Sequence, residues 1–463
     1  MAKRTSSSSE SAALSTLNAH AAGLDIGASE IYVAVPSECD PQPVRAFPTF
    51  TVDLQRLADW LQACGIETVA MESTGIYWLP IYEILEARGL AVYLVNARHL
   101  KNVPGRKTDV RDCQWIQQLH SYGLLRGSFR PAAEICALRA LVRQRENLVH
   151  CRAAHIQHMQ KALHLMNIQL TQVVSDITGL TGLSIIRAIL AGERDPFVLA
   201  RLRQATCAKS EAEIAKALAG NYTSEHLFAL KQALQAYDFY QQQMQECDRE
   251  IEARYTALPP ATPGETTLPP PPKRQKAGKN QPRFDLASAL YQTVGVDLTA
   301  IEGIDALTAL VVLSEIGWDM SRWPTVKHFT SWLGLAPHNE KSGGKVLRSH
   351  TKQTSNRANT ALRIAAQTLA RSQCALGAFY RRIKAKHGAA IAITATAHKL
   401  ARIIYFMLKE RKPYQAPDPT AYDQQYQART LRNLKRKAAQ LGMQLLPIES
   451  AAREAPAPNP VVS

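Results

Sequence analysis

No two cysteines of this chain form a CxxC pair, and none clusters with histidine. The eight cysteines, at 39, 64, 113, 136, 151, 207, 247 and 374, are scattered. That excludes a zinc module and leaves a disulfide framework unsupported, so they read as reduced thiols. Also missing is any run approaching the roughly 18 apolar residues that a bilayer span requires. The opening "MAKRTSSSSESAALST" has two basic residues but no apolar segment, and the expectation is a cytoplasmic protein with no membrane partner. No zinc-finger or RNA-recognition signature is legible. Acid is scarce relative to base: 39 Asp and Glu stand against 55 Lys and Arg, a formal charge of +16. That balance points to a polyanionic partner, with nucleic acid as the first candidate.

What is present is a chain of 463 residues, 46% hydrophobic, enough for two or three domains with cores of their own. After a serine-rich tail (1–20), "AAGLDIG" and "EIYVAVP" read as two strands joined by a tight turn at Gly27. "TVAMEST" (68–74) and "AVYLVN" (91–96) read as further strands, with "LPIYEILEARG" between them as a helix closed by Gly89. Strands alternating with helices predict an α/β domain over 21–130. From Pro131 the pattern changes. Leu138, Leu141, Val142, Val149, Ile156, Leu163 and Met166 follow the stripe of a long amphipathic helix. Leu230, Tyr237, Met244, Ile251 and Leu258 recur every seven residues, with Leu227, Leu234 and Tyr255 as companions. This coiled-coil-like seam would be satisfied by core packing, by an antiparallel pair within the chain or by a dimer. A helical region is therefore expected over 131–257. A proline- and lysine-rich linker (258–283), a mostly helical C-terminal domain (284–412) and a basic tail (413–463) follow.

The stretch "GRKTDVRDCQ" (105–114) places Asp109 and Asp112 three apart among basic residues. On a helix they share one face, and two carboxylates there repel unless a cation lies between them. Such a pair also suits an ordinary solvated helix start. Asp25 ends the first strand and Glu72 a later one; either could be a turn former or a cap. Together, strand Asp, strand Glu and helical Asp-x-x-Asp have the order of a ribonuclease-H-like nuclease, whose acids hold two metal ions for phosphodiester chemistry. Hard oxygen ligands suit Mg²⁺. Arg106, Lys107 and Arg111 would contact the phosphates of the strand being cut.

The segments "GLDIGASEIYVAVP", "MESTGIYW", "LVNARHLKNVPGRKTDVRDCQWIQQLHSYGLL", "WLGLAPHNEKSGGKV" and "TATAHKLARIIYFML" resemble the DEDD transposases of bacterial insertion sequences, the IS one-ten family, which are related to certain DNA invertases. The resemblance runs from residue 21 to about 445, leaving out the linker and both tails. It departs from the family at Cys113, where alanine is usual, and at Asp305, where the "IEGID" hairpin often has glycine. It implies an RNase H-like (RuvC-like) domain in which Asp25, Glu72, Asp109 and Asp112 hold Mg²⁺ or Mn²⁺, then a coiled-coil region, then a C-terminal transposase domain. That last domain supplies a serine nucleophile, which falls on Ser342. The local sequence suits this role. Gly343 and Gly344 permit close approach to a phosphate, and Lys341, Lys345, Arg348, Lys352 and Arg357 supply positive charge. The resemblance further implies DNA as substrate and an element-encoded guide RNA as partner; the coiled-coil-like seam makes a homo-oligomer, dimer or tetramer, the expected assembly.

Two other functions fit the residues. A junction-resolving or repair nuclease would need the four acids but not the serine. A non-catalytic nucleic-acid-binding regulator would need only the basic excess. "IEGIDALTA" reads either as a helix-hairpin-helix gripping phosphates or as an ordinary helix packed by Leu307, Leu310 and Val311.

Overall fold

A computed structural model describes residues 16–72, 75–96, 109–261 and 278–445. Arg106, Lys107 and most of the proline-rich linker lie outside these residues. The chain divides into two compact units, one up to Arg130 and one from Pro131.

In the N-terminal unit, β1 (Ala21–Ile26) pairs antiparallel with β2 (Glu30–Ala34), and β2 antiparallel with β3 (Val44–Pro48). Helix α1 (Thr51–Ala63) leads to β4 (Thr68–Glu72), and α2 (Trp78–Ala87) leads to β5 (Ala91–Val95). β4 lies parallel to β1 and β5 parallel to β4, giving the order β3-β2-β1-β4-β5. β3 and α1 have no counterpart in the sequence reading. Strand alternation assigns the two faces. Ala22, Leu24, Val33, Val69, Met71 and Leu94 form one core with Leu54, Leu57 and Leu61 of α1 and Ile81 and Leu85 of α2. The other face carries small residues. There Ala70 and Val95 pack on Ile116 of α3 (Asp109–Ser121).

The second unit opens with α4 (Ala133–Leu165). Four shorter helices follow, α5 (Leu170–Val173), α6 (Leu180–Leu190), α7 (Pro196–Ala200) and α8 (Glu211–Leu218), and then α9 (Ser224–Ala257). α4 and α9 run antiparallel. The Cys247 thiol reaches the Leu141 carbonyl, while further along α4 Arg152 bonds Gln241. Leu230, Leu234, Tyr237, Met244, Ile251 and Tyr255 of the seven-residue seam are buried, as are Leu138, Val142, Met159 and Leu163 of α4. The seam is thus filled within one chain, by the antiparallel pair. Buried Arg145 on α4 ion-pairs with buried Asp248 on α9. Arg145 and Arg152 also donate to the backbone and side-chain oxygens of Asn280. The last residues of the expected solvated linker are therefore docked, because two buried guanidinium groups need acceptors.

The remainder comprises α10 (Leu286–Val294), α11 (Ala306–Ile316), α12 (Val326–Trp332), a hairpin of β6 (Pro337–Ser342) and β7 (Lys345–Thr351), α13 (Arg357–Thr368), α14 (Ala375–His387), α15 (Ala389–Glu410) and α16 (Pro419–Gln440). It is not a separate body. Arg143 on α4 makes a bidentate pair with buried Glu315 on α11 at 2.8 and 2.9 Å, and Arg139 donates to the Ser314 and Glu315 carbonyls. The helical region and the C-terminal part accordingly form one unit. α15 is long and apolar enough to cross a membrane, yet half of its apolar stretch is buried inside the protein. Tyr405, on this helix, is fully enclosed and donates to the Trp323 carbonyl.

Candidate active site

Asp25 lies two residues beyond Gly23 on β1, so both belong to the face covered by α3. A side chain at Gly23 would put its Cβ 2.2 Å from the Gln117 amide nitrogen and 2.4 Å from the Cys113 carbonyl oxygen. Only glycine lets α3 lie that close to β1. The first turn of α3 is thereby brought over the end of the strand. Carboxylate oxygens of Asp25, Asp109 and Asp112 lie within 4.8 Å of one another. Asp109 is exposed and the other two are half-buried, so the group is open to solvent on one side. Glu72 ends β4 on the same face, one residue past the last registered pair, Leu24 with Met71. It is not part of that tight group of three. Arg111 is exposed beside the acids.

Three neighbours carry no sequence signal of their own. Tyr32 is the cross-strand partner of Asp25 and bonds Glu30; the Glu30 carboxylate holds its phenol above the usual range. Cys113 is buried beneath the acids, its thiol donating to the Val110 carbonyl. Burial first, and the nearby carboxylates of Asp25 and Asp112, push that thiol up to about 12. It is a packing group. His120, at the far end of α3, is buried against the Tyr93 ring and bonds Thr68 at 2.9 Å; burial lowers it to about 4, so the imidazole is neutral.

Ser342 ends β6, and Gly343 and Gly344, with φ of 55° and 78°, form the two-residue turn into β7. Both turn positions need the left-handed region, which glycine adopts without strain. Ser342 faces Lys345 directly across the ladder, a distance of about 5 Å between Cβ atoms. Lys341, Lys345, Arg348 and Lys352 are exposed. Arg348 is registered opposite Glu340 next to an irregularity in the ladder. Arg357 begins α13 and ion-pairs with Glu146 of α4, so it braces the helices and is already engaged. Among the described residues, the hairpin is anchored at its base. Gly334 there has its Cβ direction 2.7 Å from Thr354, and buried Asn359 donates to the Leu333 carbonyl.

The "IEGID" hairpin turns at Gly303, with φ of 87°. Asp305 caps α11, accepting from the Thr308 amide at 2.8 Å. A carboxylate thus occupies the helix N-terminus at which a phosphate would bind, and Gly303 abuts Leu369 and Ala365. The packing reading of this segment is the one its geometry supports.

Residues 22–168 match the DEDD-type IS110 transposase family, described as Transposase, and residues 297–381 match the Transposase IS116/IS110/IS902 family. The chain is an IS110-type DEDD transposase. The first match contains β1, β4 and α3 with Asp25, Glu72, Asp109 and Asp112; the second contains the Ser342 hairpin. No curated protein matches the transposase. The family carries with it a DNA substrate and dependence on a divalent metal, and three convergent carboxylates are a donor set that suits such an ion.

Proposed function

We propose that the transposase cuts and rejoins DNA by serine-dependent phosphoryl transfer. The observation that supports it best is the Asp25, Asp109 and Asp112 group, whose oxygens lie within 4.8 Å of one another where α3 meets the end of β1 in a mixed five-stranded sheet. These three, with Glu72 on the neighbouring strand, would hold Mg²⁺ or Mn²⁺. A divalent cation there supplies neutralisation of the phosphate and of the oxygens that enter and leave. Arg111 and, outside the described residues, Arg106 and Lys107 are assigned to phosphate contacts.

Ser342 is the nucleophile in this reading. Its Oγ attacks phosphorus and gives up its proton, the bond from phosphorus to one strand oxygen breaks, and that oxygen leaves as a hydroxyl after gaining a proton. The resulting serine ester conserves the bond energy for rejoining. Lys345, opposite Ser342, and Lys341, beside it, would balance the negative charge on the phosphate, with Arg348 and Lys352 further along the hairpin. An element-encoded RNA that pairs with the DNA belongs to the same reading. Its support is the family and the +16 charge.

The test is a Ser342→Ala protein incubated with Mg²⁺, DNA ends and RNA transcribed from the element, beside the wild-type protein under the same conditions. The covalent protein–DNA adduct should vanish while DNA binding persists, since one hydroxyl contributes little to a highly charged interface. Asp112→Ala should also remove the adduct, and should abolish cleavage. A Ser342→Ala protein that still cleaves would favour the resolving or repair nuclease. Wild-type protein that binds DNA without any metal-dependent cleavage would favour the regulator.

A further inference from the structure

The last part of the chain has a charge distribution that the chemistry above does not use. From Ala375 to Lys409 there is no acidic residue, while Arg381, Arg382, Lys384, Lys386, Lys399, Arg402 and Lys409 are all cationic. From Gln424 to Leu445 there is again no acid, and Arg429, Arg432, Lys435, Arg436 and Lys437 follow. Expected as a plain basic tail, this second stretch lies mostly in α16, which packs on α14. The Arg382 guanidinium of α14 lies over the Tyr426 ring of α16, 3.8 Å from its centre, a cation–π contact that helps to hold the two helices together.

Like charges so gathered repel, and their neighbours register it. Burial, then the Arg382 and Arg402 guanidinium groups, lower Lys399; burial and Arg402 lower His398. On α16 the five cations are exposed. Arg429, Arg432 and Arg436, spaced three and four, share one helical face. Leu431, Leu434 and Ala438 lie on the opposite one, since each residue turns the helix by 100°. The three arginines are thus gathered on one face, while Lys435 and Lys437 lie toward the other. A second copy of the chain is a poor occupant, because Lys435 and Lys437 flank the leucine stripe and would meet their own kind. A regularly charged polyanion suits it: duplex DNA presents one negative charge per ~1.7 Å of axis.

We propose that α14 and α16 form a sequence-independent docking surface for the phosphate backbone of duplex DNA, made of residues other than the carboxylates and the serine hairpin. The proposal rests on the transposase reading only for its choice of DNA as the polyanion. The surface positions the duplex and reads no bases.

The experiment uses full-length protein carrying Ser342→Ala, so that binding is read without strand chemistry, and a duplex of arbitrary sequence. Arg429→Gln, Arg432→Gln and Arg436→Gln combined should weaken binding about tenfold or more at 0.1 M salt. The slope of log K against log salt should become shallower by roughly 2 to 3, at ~0.9 for each phosphate no longer neutralised. The same three positions changed to Lys should restore the slope, which a merely structural role would not predict. An unchanged slope in the glutamine variant would overturn the proposal. So would a change in mass by light scattering between the two proteins, or loss of binding to structured RNA or to phosphatidylserine vesicles with duplex DNA binding intact; these would assign the face to self-association, to RNA or to a lipid surface. Failure of the adduct assay leaves this binding measurement standing, and the reverse also holds.

Discussion

Asp25, Asp109 and Asp112 stand on a strand and a helix that meet backbone to backbone at Gly23. Ser342 stands at the end of a hairpin whose residues from Pro337 to His350 are all exposed. The carboxylates inherit their spacing from a core: Ile116, Ala70 and Val95 hold α3 to the sheet, and Cys113 fills the space beneath. The serine inherits only a local turn. A group that must hold a cation against mutual repulsion needs walls that do not yield. A group that must reach a phosphate needs clearance, and two glycines at which an added Cβ would meet nothing within 4 Å beyond their chain neighbours provide it.

Changing Gly23 should break the rigid side of this contrast most strongly. Gly23→Val would drive a side chain into the backbone of α3, and overpacking of this kind costs about 1 to 3 kcal/mol or more. The N-terminal unit should melt at lower temperature, and stabilisation by Mn²⁺ should be lost even in whatever folded protein remains. The second effect is that of pH on His120. Its pKa in the folded protein, about 4, lies below the ordinary 6.5. As pH falls from 6.5 toward 4 the unfolded chain takes up a proton that the native imidazole refuses, so stability present above pH 6.5 is lost, by up to about 3 kcal/mol. Thermal melts across that range should show the loss, and His120→Gln should flatten it. Smallest is Gly343→Ala on the hairpin, where a φ of 55° strains any side chain by roughly 1 to 2 kcal/mol. That strain should leave the global melting transition untouched and lower the yield of covalent adduct. A shifted melting transition would mean that the hairpin is packed after all.

Much of the rigid side is legible in the residues, because its signals are local. The alternation in "GLDIG" and "TVAME", and the spacing of Asp109 and Asp112, place acids on strand ends and on one helical face before any contact is known. Their convergence is not legible from periodicity, since it depends on how closely α3 approaches β1, and a glycine two positions before an aspartate does not announce that. The hairpin reads as a loop for the opposite reason. "HNEKSGGKVLRSH" has a two-glycine turn signal, but neither face packs, so the apolar alternation that marks most strands is missing. The seven-residue seam leaves three partners open. What decides among them is the return path of the chain through α5 to α8, whose Ile185, Ile189, Leu199 and Ile214 close one core with Met159 of α4 and Leu230 of α9. α16 is hidden by its charge, which reads as solvated tail.

The proline-rich linker is tethered on both sides. Before it, the Ala261 amide donates to the Gln292 carbonyl; after it, Asn280 is held by Arg145 and Arg152. Both anchors, Ala261 and Asn280, belong to the same compact unit and are held in place by its fold. Loop-closure entropy grows only logarithmically, by about 0.6 kcal/mol for each doubling in length. The transposase should therefore tolerate a reporter domain spliced into this stretch, provided that the insert's own termini lie close together.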